Sequence, residues 1–407
     1  MGHQIDPKKV VGRNELIQNI WKKLQKPPSQ ASLRFTAERR IGKTTVLAKL
    51  HAEPVEPFDV LFLEVEGIDS CDALVELILN RAKSLLSTAQ STLNWFNSLL
   101  RNLGGTEIGG VIKLPISATP LRWQQMLEKA IEELCKNRPN RIVLLLFDEL
   151  PYMLQKIDHV SQSKSHPQQA LTLLDTLRAL RQRCTNLRMI FAGSVGLHHV
   201  LRDLRKTTLA SEPVNDMPYV EIGPLKKHDA IQLALQLIAT EQISCADDPE
   251  PIAQRIAFLS DCIPFYMERI VSTLALLQYP IQLPDIDRVF LEHLTDDNSP
   301  LEMEHFRERL PIYYRHPIPD ASGKPIPSHL IARAILDFLA LNDTPQTVEQ
   351  VHCFLASQFP LADRSAAVDL LQLLARDHYL TADLQKRYTF RFSLVKRWWK
   401  LAQGLPS

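Results

Sequence analysis

Glycine is scarce in this sequence, with 13 in 407 residues, where an average chain of that length carries ~28. The shortage excludes collagen-like and glycine-rich low-complexity classes and points to a globular, helix-rich chain. Paired cysteines are lacking as well: Cys71, Cys135, Cys184, Cys245, Cys262 and Cys353 stand singly, with no CxxC motif. Such usage fits a reducing cytoplasm rather than a disulfide framework or a zinc site. An excess of charge is missing too, since 47 Lys and Arg face 46 Asp and Glu for a net +1. No global field is therefore available to drive nonspecific nucleic-acid or membrane binding. The longest aliphatic run, Ile142 to Phe147, is far short of the ~20 residues of a membrane span. The first residues, Met1 to Leu16, lack an apolar signal core. The expectation is a soluble cytoplasmic protein with no membrane partner.

What is present is enough apolar residue, 45% of the chain, to build more than one core; at ~150 residues per domain the length suggests two or three domains. From residue 30 to about 222, short β-branched or aliphatic runs alternate with amphipathic helical stretches. That alternation predicts βαβ units and a mostly parallel sheet, an α/β fold. The predicted strands are Ser32 to Thr36, Val60 to Val65, Ile142 to Phe147, Met189 to Ala192 and Tyr219 to Ile222. The third does not alternate, so it should be covered on both faces. A long insertion, Thr88 to Pro120, carries Gly104-Gly105 and Gly109-Gly110 and is consistent with a small hairpin.

From Lys226 to about Tyr314 the apolar spacing becomes helical, as in Ile231, Leu235 and Ile238. A Pro-rich stretch, His316 to Pro327, reads as a turn-rich linker. Three more helices follow, then the ribbon signals Tyr379-Leu380 and Tyr388 to Phe392. Helix, helix, helix, ribbon is the order of a winged helix. The expected domains are 1–225, a helical lid at 226–315, the linker at 316–327 and a winged helix at 328–407.

The sharpest chemical signal is Ala37-Glu-Arg-Arg-Ile-Gly-Lys-Thr44, placed between a predicted strand and a predicted helix. A nucleotide's phosphates need close-approaching backbone N–H groups, a helix N-terminus, a lysine for the outer phosphates and a hydroxyl for magnesium. Gly42, Lys43 and Thr44 supply those parts, and Ala37, Arg39, Arg40, Ile41 and Thr45 complete the candidate nucleotide contacts. About a hundred residues on, the buried strand ends in Phe147-Asp148-Glu149. In such a site the aspartate joins Thr44 at the magnesium ion and the glutamate polarises the attacking water. Acidic residues also end strands simply because the chain reaches solvent, and the phosphate loop is what favours the catalytic reading. A further strand ends Phe191-Ala192-Gly193-Ser194. Ser194 there either reports the γ-phosphate and orients water or caps the helix that follows. Elsewhere, His198-His199 fall on a predicted surface helix, and no His, Cys or carboxylate group has metal-ligand spacing.

Val11-Gly-Arg-Asn-Glu-Leu16, Arg39-Arg-Ile-Gly-Lys-Thr44, Asp148-Glu149, Ala192-Gly-Ser194, Ile222-Gly-Pro-Leu225 and Ser260-Asp-Cys-Ile-Pro-Phe-Tyr266 fall in one order. In that order the chain resembles the archaeal-type P-loop ATPases, relatives of the STAND and AAA+ signalling and initiator ATPases. The resemblance spans residues 10 to about 270 and continues into Phe306-Arg-Glu-Arg-Leu310 and the C-terminal winged helix. It implies ATP and Mg2+ as cofactors, Val11, Gly12 and Arg13 at the adenine, Pro224 touching the base from the start of the lid, and Arg269 as the lid's phosphate sensor. The sequence departs from the family at Ala37, at Glu38 where proline is frequent, and at Asp261-Cys262 where glycine is frequent.

Three readings of function follow. The first is a STAND-like switch that binds and hydrolyses ATP and acts on a protein partner or on its own assembly. A second is a DNA-engaging ATPase using the winged helix, and a third is a module that holds nucleotide with little hydrolysis. The third helix of the winged helix, Arg364 to Arg376, offers few groups that could read base edges. Lys386, Arg387, Arg391, Lys396, Arg397 and Lys400, interleaved with Trp398 and Trp399, could grip nucleic acid, but tryptophan pairs more often anchor cores and interfaces. Nucleic acid is accordingly not the favoured partner.

Overall fold

The structure is a computed structural model that describes residues 10–86, 106–108, 111–113, 122–163, 168–193, 196–204, 212–296, 298–320, 322–360 and 364–406. It divides into two compact units, Met1–Ile222 and Gly223–Ser407.

The first unit opens with helix α1 (Asn14–Leu24), which buries Ile17, Ile20, Trp21 and Leu24 on one face. Then come β1 (Leu33–Thr36), α2 (Lys43–Ala52), β2 (Phe58–Glu64), α3 (Cys71–Leu86), the pair β3 (Thr106–Ile108) and β4 (Val111–Lys113), and α4 (Arg122–Lys136). The rest of the unit is β5 (Ile142–Asp148), α5 (Leu150–Ser163), α6 (Gln169–Arg183), β6 (Leu187–Phe191), α7 (Leu197–Leu204) and β7 (Tyr219–Glu221). Five strands form one sheet in the order β2, β5, β6, β1, β7, and every neighbouring pair is parallel. This is the expected α/β fold. All five predicted strands are present, their ends moved by a residue or two.

Parallel strands leave their carboxyl ends at one edge, where the connecting loops cluster. The registers Glu64 with Asp148 and Phe147 with Phe191 align the ends of β2, β5 and β6 there. Strand β5 is interior and buried from Val143 to Asp148, which explains its unbroken apolar run. On one sheet face its Val143, Leu145 and Phe147 pack with α3, α4, α5 and α6 in a continuous core. Arg188, buried within β6, donates to the carbonyls of Leu24 and Lys26 and so satisfies the end of α1.

The insertion contains the small hairpin, with Ile108 paired to Val111; Gly104, Gly105, Gly109 and Gly110 lie outside the described residues. One expectation needs correction. Helix α7 is not a plain surface helix, because His199 is buried, 1% exposed, with its ring 4.4 Å from that of His198. Val200, Leu201 and Leu204 are buried too, and at 3.6 residues per turn they centre on a face well away from His199, so α7 is covered on more than one side.

The second unit holds α8 (Lys227–Thr240), α9 (Pro249–Leu259), α10 (Pro264–Leu274), α11 (Leu283–Thr295) and α12 (His305–Tyr313). The Pro-rich stretch forms a two-stranded hairpin, β8 (Ile318–Pro319) with β9 (Pro325–Ile326), whose turn is closed on the carboxylate of Asp320. Then follow α13 (Ser328–Leu341), α14 (Val348–Gln358), α15 (Ser365–Arg376), the antiparallel ribbon β10 (Leu380–Ala382) and β11 (Tyr388–Phe390), and α16 (Ser393–Ala402). Thr347 and Gln350 form a capping box that starts α14.

The aromatic and basic tail packs inward. Trp398 and Trp399 are buried, and the indole N–H of Trp399 donates to Asp337 at 2.8 Å. Lys396 donates to the Asn342 carbonyl and to Asp343. Arg397 donates to the Leu259 carbonyl and lies 4.7 Å from the centroid of the Phe290 ring. Arg387 pairs with Asp383, and Arg364 pairs with Glu349.

The position of β5 in the core gives a direct test. Leu145→Ala should lower the unfolding free energy by about 2–5 kcal/mol, because the side chain is fully buried in the core. Urea unfolding that moves by less than about 1 kcal/mol would contradict the burial of this face of the strand.

Candidate functional site

The loop from Ala37 to Gly42 leaves the carboxyl end of β1 and turns into α2. Two residues give it a left-handed bend, Arg40 at φ 69° and Gly42 at φ 100°. At Gly42 an L side chain would be strained, which is why glycine stands there. The ammonium of the buried Lys43 donates to the carbonyls of Glu38 at 2.9 Å and Ala37 at 3.3 Å. It is thus curled into the loop, with a charge that favours an anion at the N-terminus of α2. Ala37 is buried, and Glu38 folds its carboxylate back to accept the N–H of Arg39 at 2.7 Å. Thr45 follows in the first turn of α2.

Arg13 comes to this loop from the start of α1. Its guanidinium donates to the Ile41 carbonyl at 2.7 Å and is buried. Val11 and Gly12 precede it, half-exposed, with Gly12 at φ 70°. Arg13 and the loop ahead of α2 therefore share one neighbourhood, although 28 positions separate Arg13 from Ile41.

Across the end of the sheet, the hydroxyl of Thr44 donates to Oδ2 of Asp148 at 2.7 Å. Strand β6 lies between β1 and β5, so the bond bridges the carboxyl end of that central strand. The other carboxylate oxygen of Asp148, Oδ1, is buried without a hydrogen-bond partner. An unpartnered buried carboxylate oxygen beside a hydroxyl is a site that favours a cation. The donor set suits magnesium, which is bound through one or two oxygen groups together with phosphates and water. Burial pushes the Asp148 carboxyl up to about 6; the Thr44 hydrogen bond opposes this, the charge of Glu149 adds to it and that of Lys43 opposes it.

Glu149 follows at φ 60° and its carbonyl accepts the amides of Tyr152 and Met153, so the chain turns sharply into α5. The end of β6 is fixed to this turn, because the Ala192 amide donates to Phe147 and the Leu150 amide donates to Ala192. Gly193 is the residue that lets the two chains approach. A Cβ there would lie 2.4 Å from Cδ of Pro151, and 3.5 Å from Oε2 of Glu149. Sequence reasoning missed this role, although the scarcity of glycine was the available signal. Ser194 itself lies outside the described residues.

Lys43, Thr44, Asp148, Glu149, Arg13 and the loop backbone are thus gathered at one edge of the sheet. Pro224 and Arg269 belong to the second unit. Pro224 is half-buried ahead of α8, and Arg269 lies on α10 with its guanidinium 4.9 Å from the centroid of the Phe265 ring.

The raised Asp148 carboxyl carries a stability signature. The folded value lies above the ordinary carboxylate value, so the charged form costs stability above about pH 6. That cost is relieved as pH falls towards the unfolded value near 4. Asp148→Asn should therefore stabilise the nucleotide-free protein at pH 8 by up to about 3 kcal/mol, with a gain that shrinks as pH falls from about 6 to about 4 and is lost below that. Unfolding curves in which the variant is destabilised at pH 8, or gains equally at every pH, would contradict this electrostatic picture.

Residues 28–201 match the family model of an AAA domain. Over the whole chain the structure is similar to a Walker-type ATPase of Pyrococcus abyssi, with a TM-score of 0.58, 18% identity and 97% of each chain covered. It is more distantly similar to the ORC2 protein of Aeropyrum pernix in its ADP form, with a TM-score of 0.44, 11% identity, and 99% of this chain and 97% of that one covered. No curated protein matches the sequence. The parallel sheet, the loop between β1 and α2 and the matched segment together make the first unit a P-loop NTPase fold, with residues 28–201 corresponding to an AAA domain.

Proposed function

We propose that the protein is an ATP-hydrolysing molecular switch, of the STAND-like kind, that passes its nucleotide state to a protein partner or to its own assembly. The observation that carries the reading is the Thr44 to Asp148 bond with the unpartnered Oδ1, set beside a lysine-bearing phosphate loop.

In this reading the backbone N–H groups of Arg39 to Thr44 and the N-terminus of α2 hold the ATP phosphates. Lys43 exchanges its loop carbonyls for oxygens of the β- and γ-phosphates, a charge-assisted contact that stabilises the charge developing between them. Thr44 and Asp148 would hold the magnesium ion that accompanies ATP and supplies charge to the outer phosphates. Glu149 orients and polarises the water that attacks phosphorus, and Gly193 keeps the turn bearing Glu149 close against the end of β6. Val11, Gly12 and Arg13 serve the adenine end, and Arg13 also ties that segment to the loop. Pro224 and Arg269 are the residues of the second unit assigned to nucleotide in this reading, with 226–315 as lid and 328–407 as winged helix.

The inward packing of Lys396, Arg397, Trp398 and Trp399 supports a protein or self-assembly output over DNA binding. Cations already engaged within the unit would have to leave those contacts to reach phosphates. The near-neutral net charge of +1 points the same way.

Two substitutions separate binding from chemistry. Lys43→Ala removes the charge that meets the outer phosphates, so ATP affinity should fall at least about tenfold, ~1.4 kcal/mol. Unchanged affinity in a folded variant, measured by calorimetry, would sink the phosphate-loop assignment. Glu149→Gln keeps shape and hydrogen bonding but cannot polarise water. ATP should still bind while turnover drops by about 100-fold or more. Wild-type turnover in that variant would remove Glu149 from the mechanism.

A further inference from the structure

The turn between α9 and α10, Ser260 to Ile263, adopts a backbone that its residues do not favour. Asp261 and Cys262 both lie in the left-handed region, at φ 50° and 57°, where glycine is the ordinary occupant. The turn ends α9 with the Cys262 amide donating to Ala257 at 2.9 Å and the Asp261 amide donating to Phe258 at 3.3 Å. Glycine would make the same turn without strain, so the presence of aspartate needs a separate cause.

That cause is in the last helix. The Asp261 carboxylate accepts the backbone N–H of Leu394 at 2.6 Å and the hydroxyl of Ser393 at 2.8 Å. It thereby caps the N-terminus of α16 from more than 130 positions away. Arg397, one turn further along α16, donates to the Leu259 carbonyl at 3.1 Å, so the helix holds the turn on two sides. The opposite side of the turn is held as well, because the Leu225 amide donates to the Cys262 carbonyl at 3.0 Å. The segment that opens the second unit and the helix that closes it therefore meet on four residues.

We propose that Asp261 is a positioning residue that couples the turn leading into α10 to the C-terminal helix α16, so that the two move as one. Its role in signalling rests on the nucleotide-switch reading above. In that reading α10 carries the nucleotide-sensing Arg269, and α16 belongs to the output module. The coupling places an acceptor for α16 in a left-handed turn where glycine would supply none.

Hydrogen exchange on the full-length protein tests it. Asp261→Gly tolerates the left-handed backbone but lacks the acceptor, whereas Asp261→Asn retains an acceptor oxygen. Without nucleotide, Asp261→Gly should speed exchange about fivefold or more at both 393–397 and 261–266, and Asp261→Asn should return both towards wild type. Ser393→Ala, altered only on the helix side, should speed exchange at 261–266 by about twofold or more. Faster exchange confined to 393–397, or no change at either segment, overturns the coupling. Binding of a fluorescent ATP analogue to the same proteins keeps the two readings apart. A wild type that binds none refutes the nucleotide switch, while the exchange result still decides the coupling.

Discussion

The hydrogen bond from Thr44 to Asp148 is the interaction on which the site depends. It joins the first residues of α2 to the last residue of β5 across an intervening strand. Such a bond exists only if all the strands run parallel and end level, because an antiparallel or slipped β5 would carry its carboxylate to the other edge of the sheet. The fold thus brings a loop hydroxyl to a carboxylate 104 positions away. The price is a buried carboxylate with one oxygen unpartnered, and its raised proton affinity records that cost. Residues that destabilise a resting fold in this way are common where charge is needed for function.

Much of this architecture was legible in the sequence because its signals are local. Each strand is a short apolar run bounded by turn formers, and Val143 to Phe147 has no alternation because both faces are covered. The loop between β1 and α2 was legible because its residue types, spacing and flanking elements are contiguous from Ala37 to Thr45. Asp148 and Glu149 were readable as a strand end, but their selection over other acidic strand ends needed the loop as a partner.

The parts that sequence did not disclose all rest on contacts between distant segments. Nothing local marks Arg13 as a donor to Ile41, Gly193 as the contact point with Pro151, or His199 as buried. The tail of the chain shows the same limit. Its alternation of cations with aromatics suits both a nucleic-acid surface and a packed helix, and tertiary partners decide between them. Asp337 for Trp399, Asp343 for Lys396 and Phe290 for Arg397 engage the helix within its own unit. Asp261 was recognisable only as a departure from a glycine-rich pattern; its partner at the start of α16 explains the departure.

The central claim is that the Thr44 and Asp148 pair, with the loop around Lys43, is built for a magnesium nucleotide. Calorimetric titration of the wild-type protein with ATP, in excess magnesium and again in excess chelator, tests it most directly. The account predicts one saturable site per chain whose affinity falls about tenfold or more when magnesium is removed. No saturable binding, or an affinity indifferent to the metal, would contradict it.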